Sequence, residues 1–119
     1  MIEGYRFGSI TINGKTYDYD VEVRWTGEVL EWKRESSHMI DVGDVKRAVE
    51  EKPGIIIIGT GESGVARVTE ATQRFINERK IELIIDRTAK ATEIFNIIRK
   101  KSEKEGEGKK VIGLFHLTC

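Results

Sequence analysis

Apolar and polar positions alternate through the first third of the chain, and the period changes at Asp41. In "ITINGKTYDYDVEV", alternating runs flank Asn13-Gly14, the dipeptide suited to a two-residue hairpin because both central turn positions need φ > 0. A second turn at Thr26-Gly27 joins "VEVRW" to "EVLEW", which predicts an antiparallel β-meander within residues 1–35. Charged residues alternate there with Val, Trp and Leu, so one face of this sheet is expected to be wet. Trp25 and Trp32 are expected as half-buried sheet residues.

From Asp41 onward, Val42, Val45 and Val49 recur at helical spacing, and Pro53-Gly54 stops the helix. "GIIIIG" has no polar position and reads as a central strand covered on both faces. A helix of about fifteen residues is expected next, with Val65, Val68, Thr72, Phe75 and Ile76 inward. "IELIID" predicts a further strand. Thr88 stands where it can cap a third helix, whose Ala91, Ile94, Phe95 and Ile98 form one stripe. "KVIGLFHLTC" predicts the last strand.

The order β-β-β-α-β-α-β-α-β requires crossover connections in its second half. The expectation is one α/β domain over residues 1–119, with residues 41–119 building a mixed, largely parallel central sheet. No linker, internal repeat or low-complexity segment interrupts it.

Composition narrows the setting. A hydrophobic fraction of 39% suffices for a core, and the longest apolar run, Ile55 to Ile58, is far too short to span a bilayer. "MIEGYRFG" lacks the basic start and apolar stretch of a secretory signal, and a single cysteine suits a reducing compartment. A cytoplasmic location without a membrane partner is therefore expected. The 34% charged fraction, the Ile-rich apolar set and the lone Gln73 point to a thermophile.

Charge is balanced, 20 basic residues against 20 acidic, which gives no global attraction to nucleic acid. The densest cluster, "RKKSEKEGEGKK" at 99–110, has Glu103, Glu105 and Glu107 among its lysines and reads as a solvated helix end and loop. No nucleic-acid partner is expected.

The motif with most chemical promise is "PGIIIIGTGESG". Gly59, Gly61 and Gly64 satisfy G-x-G-x-x-G after a strand, and Asp86 lies 22 positions beyond Gly64, near where a ribose-binding carboxylate is expected. A helix N-terminus there would offer free N–H groups to an anion. Glu62 inside the loop would repel a pyrophosphate, the strand count is too small for a full dinucleotide fold, and no G-K-[ST] follows. The simpler reading is a tight turn relieved by glycine, with Ser63 capping the next helix.

His38, His116 and Cys119 supply too few ligands for a structural zinc, and His116 and Cys119 fall on opposite faces of an extended strand. Neither a metal nor another cofactor is expected. Cys119, as the last residue, is a poor place for a held nucleophile. Asn96 falls off the apolar stripe of its helix and is expected to be exposed.

Taken in order, Arg34…His38, "IIIIGTG", "TAKATEIFN" and the terminal "HLTC" resemble a small domain family of unknown biochemical function. That family includes the adipogenesis-associated domain protein and a mitochondrial assembly factor for respiratory complex I, together with free-standing archaeal and bacterial members. The resemblance covers nearly the whole chain. It implies a three-layer α/β fold with a mixed central sheet and an accessory β-layer. It also implies retained Gly59 and Gly61 around a variable Thr60, retained Thr88, Ala91 and Asn96, and retained His116, Thr118 and Cys119. Gly64 is not a glycine of that pattern, and no catalytic activity is implied.

Two functional readings follow. One is a non-enzymatic binding or assembly module for a protein partner or a small polar ligand, with a homo-oligomer among its forms. The other is an enzyme acting on a small phosphorylated or carboxylated metabolite, with the Gly59–Gly64 loop as anion site and His116 as acid or base. The enzyme reading needs His116, Asn96 and the loop in one cleft. The candidate site is Gly59, Thr60, Gly61, Ser63, Thr88, Asn96 and His116, with Arg34, His38, Thr118 and Cys119 as outer members.

Overall fold

Four consecutive isoleucines make the middle strand of the molecule, and their alternation divides the core in two. Ile55 and Ile57 join one hydrophobic cluster, Ile56 and Ile58 the other. The computed structural model describes residues 1–36, 38–105 and 110–119. Part of the 99–110 loop reading, at residues 106–109, lies outside the described residues.

The strands are β1 (Ile2–Arg6), β2 (Ser9–Ile12), β3 (Lys15–Tyr17), β4 (Val21–Arg24), β5 (Val29–Glu31), β6 (Met39–Ile40), β7 (Ile55–Thr60), β8 (Arg67–Val68), β9 (Glu82–Asp86) and β10 (Val111–His116). The helices are α1 (Val42–Glu50), α2 (Glu70–Glu78) and α3 (Thr88–Glu105). The central sheet has five strands in the order β5-β4-β10-β7-β9. β10 and β9 run parallel to β7, while β4 runs antiparallel to β10. The sheet is mixed, as the sequence leads one to expect.

Three layers result. On one face, Val21, Val23, Ile57, Val111 and Phe115 meet Ala91 and Phe95 of α3 and the isoleucines of β1 and β2. On the other, Ile56, Ile58, Ile112 and Leu114 meet Val45, Ala48 and Val49 of α1 and Ile76 of α2.

Three expectations are corrected. The N-terminal antiparallel meander is present, but it does not take in all the strands within residues 1–35. β1, β2 and β3 make a separate antiparallel sheet, with Asn13 and Gly14 both at positive φ in the β2–β3 turn. β4 and β5, turning at Gly27, belong to the central sheet. Their polar face is therefore not wet. Glu22 is 1% exposed and is held by Arg24 Nε at 2.9 Å and by Arg47 Nε of α1 at 3.0 Å. Trp32 is fully inside, its indole N–H donating to the Asp44 carbonyl at 2.8 Å.

Next, the segment after β7 is not a long helix. Arg67 N–H donates to the His38 carbonyl and Thr69 N–H to the Ile40 carbonyl, which builds the short parallel pair β6–β8. The helix starts only at Glu70, capped by Thr69, whose side chain accepts the Thr72 N–H. Val65, expected inward, is exposed. Finally, Thr88 does not cap α3, because its hydroxyl is committed elsewhere.

Candidate functional site

Parallel register brings Thr60 beside His116 and Gly59 beside Asp86, so β7, β9 and β10 end along one edge. Ligands of open α/β sheets gather at such an edge. Here the chain's own tail occupies it.

Leu117 N–H donates to Asp20 Oδ1 at 2.8 Å, and the Leu117 carbonyl accepts from Gly8 N–H at 2.8 Å and Tyr5 Oη at 2.9 Å. The Thr118 carbonyl accepts Glu62 N–H at 2.8 Å. A Cβ on Gly61 would lie 2.5 Å from the Cys119 carbonyl oxygen, and Gly61 has φ +100. Only glycine fits so close to the tail in that conformation.

Thr88 ties the same edge from below. Its Oγ1 accepts Gly61 N–H at 2.8 Å and donates to the His116 carbonyl at 2.5 Å. A Cβ on Gly59 would stand 2.8 Å from that hydroxyl. The two glycines thus admit Thr88 and the tail, and the amides of Gly61 and Glu62 are spent on them. Gly64 needs its φ of +71 but meets nothing closer than Arg87 Cγ at 3.4 Å. The loop leads into β8, so no helix begins within it and Ser63, exposed, caps nothing; the helix N-terminus that meets the loop is that of α3, whose Thr88 N–H donates to the Gly61 carbonyl at 3.1 Å. Thr60 is buried, its hydroxyl donating to the Asp86 carbonyl at 3.1 Å.

His116 is 5% exposed, on the α1 and α2 side of the sheet. Its Nδ1 lies 2.8 Å from Asp20 Oδ2 and 2.7 Å from Arg34 Nη2. Arg34 also donates to Asp20 Oδ2 through Nη2 at 3.0 Å and to the Ser36 carbonyl through Nη1 at 2.8 Å, with its guanidinium carbon 5.2 Å from the Trp32 ring. One Nδ1 cannot both donate to Asp20 and accept from Arg34. Burial pushes the Asp20 carboxyl up. The hydrogen bonds from His116 and Leu117 N–H, the His116 charge and the Arg34 hydrogen bond outweigh it and hold the group below its ordinary value. An anionic Asp20 can only accept, so Nδ1 carries a proton toward it, and Nε2 is the ring nitrogen on the other side.

Thr118 Oγ1 is 3.4 Å from that Nε2. The order carboxylate, imidazole, hydroxyl is that of a nucleophile set, but the last distance exceeds the reach of a general base. Cys119 is exposed and beyond the end of β10, so the strand-alternation argument does not apply to it. Among the described residues no three His, Cys, Asp or Glu side chains converge as a metal would require.

Two candidates fall elsewhere. Asn96 is half-buried, not exposed: its Nδ2 donates to the Ile2 carbonyl at 2.7 Å and its Oδ1 accepts Ile2 N–H at 2.9 Å. It stands eight residues along α3 from Thr88, about 12 Å of helix rise away. The cleft joining Asn96 to His116 and the loop is not formed. His38 is exposed and contributes its backbone to β8.

A family model described as "Protein of unknown function (DUF498/DUF598)" matches residues 2–116. The chain belongs to the DUF498/DUF598 family. The resemblance read from the motifs leads to the same kind of family, one without an assigned function. A conserved hypothetical protein, PH1505, from Pyrococcus horikoshii OT3 has a similar fold at TM-score 0.82 and 24% identity, covering 100% of this chain and 99% of its own. The protein MT938 is similar at TM-score 0.79 and 26% identity, covering 100% and 98%. An outer membrane protein from Bartonella henselae shares the fold at TM-score 0.77 and 18% identity, covering 99% and 94%. No helix among the described residues of this DUF498/DUF598 chain is long and apolar enough to cross a membrane.

Sequence reasoning missed Asp20 and Tyr5. Asp20 precedes Val21, which pairs with Phe115, so the antiparallel register sets it across from His116. The available signal was the period-two row Asp20, Glu22, Arg24, opposite Val21 and Val23.

Proposed function

We propose that the protein is a non-enzymatic binding or assembly module whose contact surface is the rim around residues 117–119. The observation that carries this reading is how far the groups the enzyme reading needs are tied up in the fold. His116 is buried with its Nδ1 against Asp20 and Arg34, the Gly61 and Glu62 amides are bonded to Thr88 and Thr118, and Asn96 is bonded to Ile2.

What supports a contact surface at this rim is its exposed apolar side chains. Phe7, 57% exposed, adjoins Gly8, which bonds the tail. Tyr19 adjoins Asp20, and Val65 ends the exposed stretch from Glu62; both are exposed themselves. Large apolar side chains clustered around polar backbone are what protein interfaces use at their centres.

The test is affinity capture from cells of the source organism with wild type and with Phe7→Asp/Tyr19→Asp, after confirming equal melting. The expected result is a stoichiometric partner, a second copy included, retained by wild type and lost from the variant. A melting shift with phosphorylated or carboxylated metabolites that disappears in His116→Ala, or turnover dependent on His116, would restore the enzyme reading.

A further inference from the structure

The sheet edges of this fold are guarded unequally. β5 is three residues long and lies between Glu28 and Lys33. β3 is equally short and opens on Lys15. The start of β1 is covered by Asn96, whose side-chain amide takes both main-chain groups of Ile2. Short strands, charge and cover are the usual guards against pairing with another chain. β9, the outer strand of the central sheet beside β7, has none of them. It runs five residues in unbroken register, with no proline, no lysine and no bulge.

Its sequence is that of an inner strand. Leu83, Ile84 and Ile85 form an uninterrupted apolar run, which suits a strand covered on both faces. Their pairing partners on β7, Ile56, Ile57 and Ile58, are fully buried, whereas Leu83 and Ile84 stay half-buried and Ile85 is 40% exposed. The backbone is open as well. Glu82 N–H donates to the Gly54 carbonyl, so Glu82, Ile84 and Asp86 turn their main chain to β7, and the alternate residues Leu83 and Ile85 turn theirs outward. Those outward N–H and C=O groups meet no partner among the described residues.

We infer that β9 pairs with β9 of a second copy, antiparallel about a twofold axis at Leu83, to make one continuous sheet across a dimer. A twofold axis lets one surface complement itself, and charge selects the register. With the axis at Leu83, Ile85 stands opposite Ile81 of the copy, and Lys80, in the turn before β9, comes to Asp86 of the copy. Neither Lys80 nor Asp86 makes an ion pair among the described residues, and Asp86 spends only Oδ1, on the Arg87 N–H at 2.7 Å. With the axis at Ile84 instead, Glu82 would oppose Asp86, a like-charge pair across the strands. In the Leu83 register the two Leu83 residues exchange both main-chain bonds, and each Ile85 N–H meets the Ile81 carbonyl of the other copy. Arg79, which this register sets opposite Arg87, is held off the strand, 3.6 Å over the Phe75 ring.

The experiment is light scattering across a dilution series of the intact chain, paired with amide exchange by NMR. The expected result is a particle of twice the 13.5 kDa chain mass that dissociates on dilution. The Leu83 and Ile85 amides are expected to be at least ~10-fold better protected in the dimer than in the dilute monomer. Ile85→Lys puts a charge on an exposed edge position and is expected to give a folded monomer. Lys80→Glu is expected to weaken the dimer roughly 10-fold, and Lys80→Glu/Asp86→Lys to restore it; this pair serves if Ile85→Lys disturbs folding. A monomer at every concentration up to about 1 mM, a dimer that survives Ile85→Lys, or unprotected Leu83 and Ile85 amides in the dimer would overturn the inference. A dimer lost in Phe7→Asp/Tyr19→Asp but kept in Ile85→Lys would overturn it too while supporting the rim, so the two failures are distinguishable.

Discussion

Asp20 and His116 face each other across the β4–β10 pair, Oδ2 2.8 Å from Nδ1, while the other carboxylate oxygen takes the amide of Leu117. One side chain thus orients the imidazole and starts the tail on its path over the loop. An imidazole with these neighbours looks catalytic on paper. Its position, buried between a carboxylate and a guanidinium, makes it part of the fastening.

Thr88→Val is the sharpest test of the fastening from below. The isostere fills the same space but leaves the Gly61 amide and the His116 carbonyl buried without partners. Guanidinium unfolding is expected to show a loss of roughly 2–6 kcal/mol, at about 1–3 kcal/mol for each orphaned group. Thr88→Ser is expected to retain most of the stability.

The glycines of the loop are expected to differ in cost. Gly61→Ala forces a methyl against the Thr118 and Cys119 carbonyls, whereas Gly64→Ala meets only ordinary contact with Arg87. The second change is expected to cost about 1–2 kcal/mol, for left-handed backbone alone. The first is expected to exceed it clearly, because displacement of the tail is added. Paired melting curves decide; equal losses would mean that the tail does not press on Gly61.

Tyr5 donates to the Leu117 carbonyl, and its phenol is pushed up to about 12 by burial and by the negative charge of Glu62 and Asp20. A raised phenol stabilises the fold fully below the unfolded tyrosine value of about 10 and loses that contribution as pH climbs through the folded one. Absorbance titration is expected to resolve one tyrosine ionising near pH 12. Tyr5→Phe is expected to remove that step and about 1 kcal/mol of stability.

Asp20 gives the opposite pH dependence. Its folded value is depressed, so the unfolded chain binds the proton more readily in acid. The contribution is present above the unfolded value of about 3.9 and is lost as pH falls through the lower folded value. Midpoints of guanidinium unfolding are expected to fall below about pH 4, with a shallower slope in Asp20→Asn.

Much of the fold was legible because its signals are local. The apolar run at 55–58, the Asn13-Gly14 turn and the α3 stripe each carry their own period. The failures are long-range. Val65, Val68 and Thr72 mimic a helical spacing, and only the carbonyls of His38 and Ile40, far back in the chain, turn that stretch into β8. Asn96 reads as exposed because its partner, the start of β1, carries no strand signal strong enough to place it beside α3. The glycine spelling reads as a tight strand-to-helix turn, but the loop leads into β8 instead. What it turns to admit, Thr88 and the backbone of residues 118 and 119, depends on register between distant strands.

Amide hydrogen exchange at Leu117, Glu62 and Gly8, in wild type and in Asp20→Asn, reports on the tail itself. The Asn variant weakens a charge-assisted bond worth about 1.5–3 kcal/mol, so all three amides are expected to exchange roughly 10- to 100-fold faster, while the central strand at Ile57 changes less. Unchanged protection at these amides in Asp20→Asn would contradict the fastening role and leave the Asp20–His116 pair free for another one.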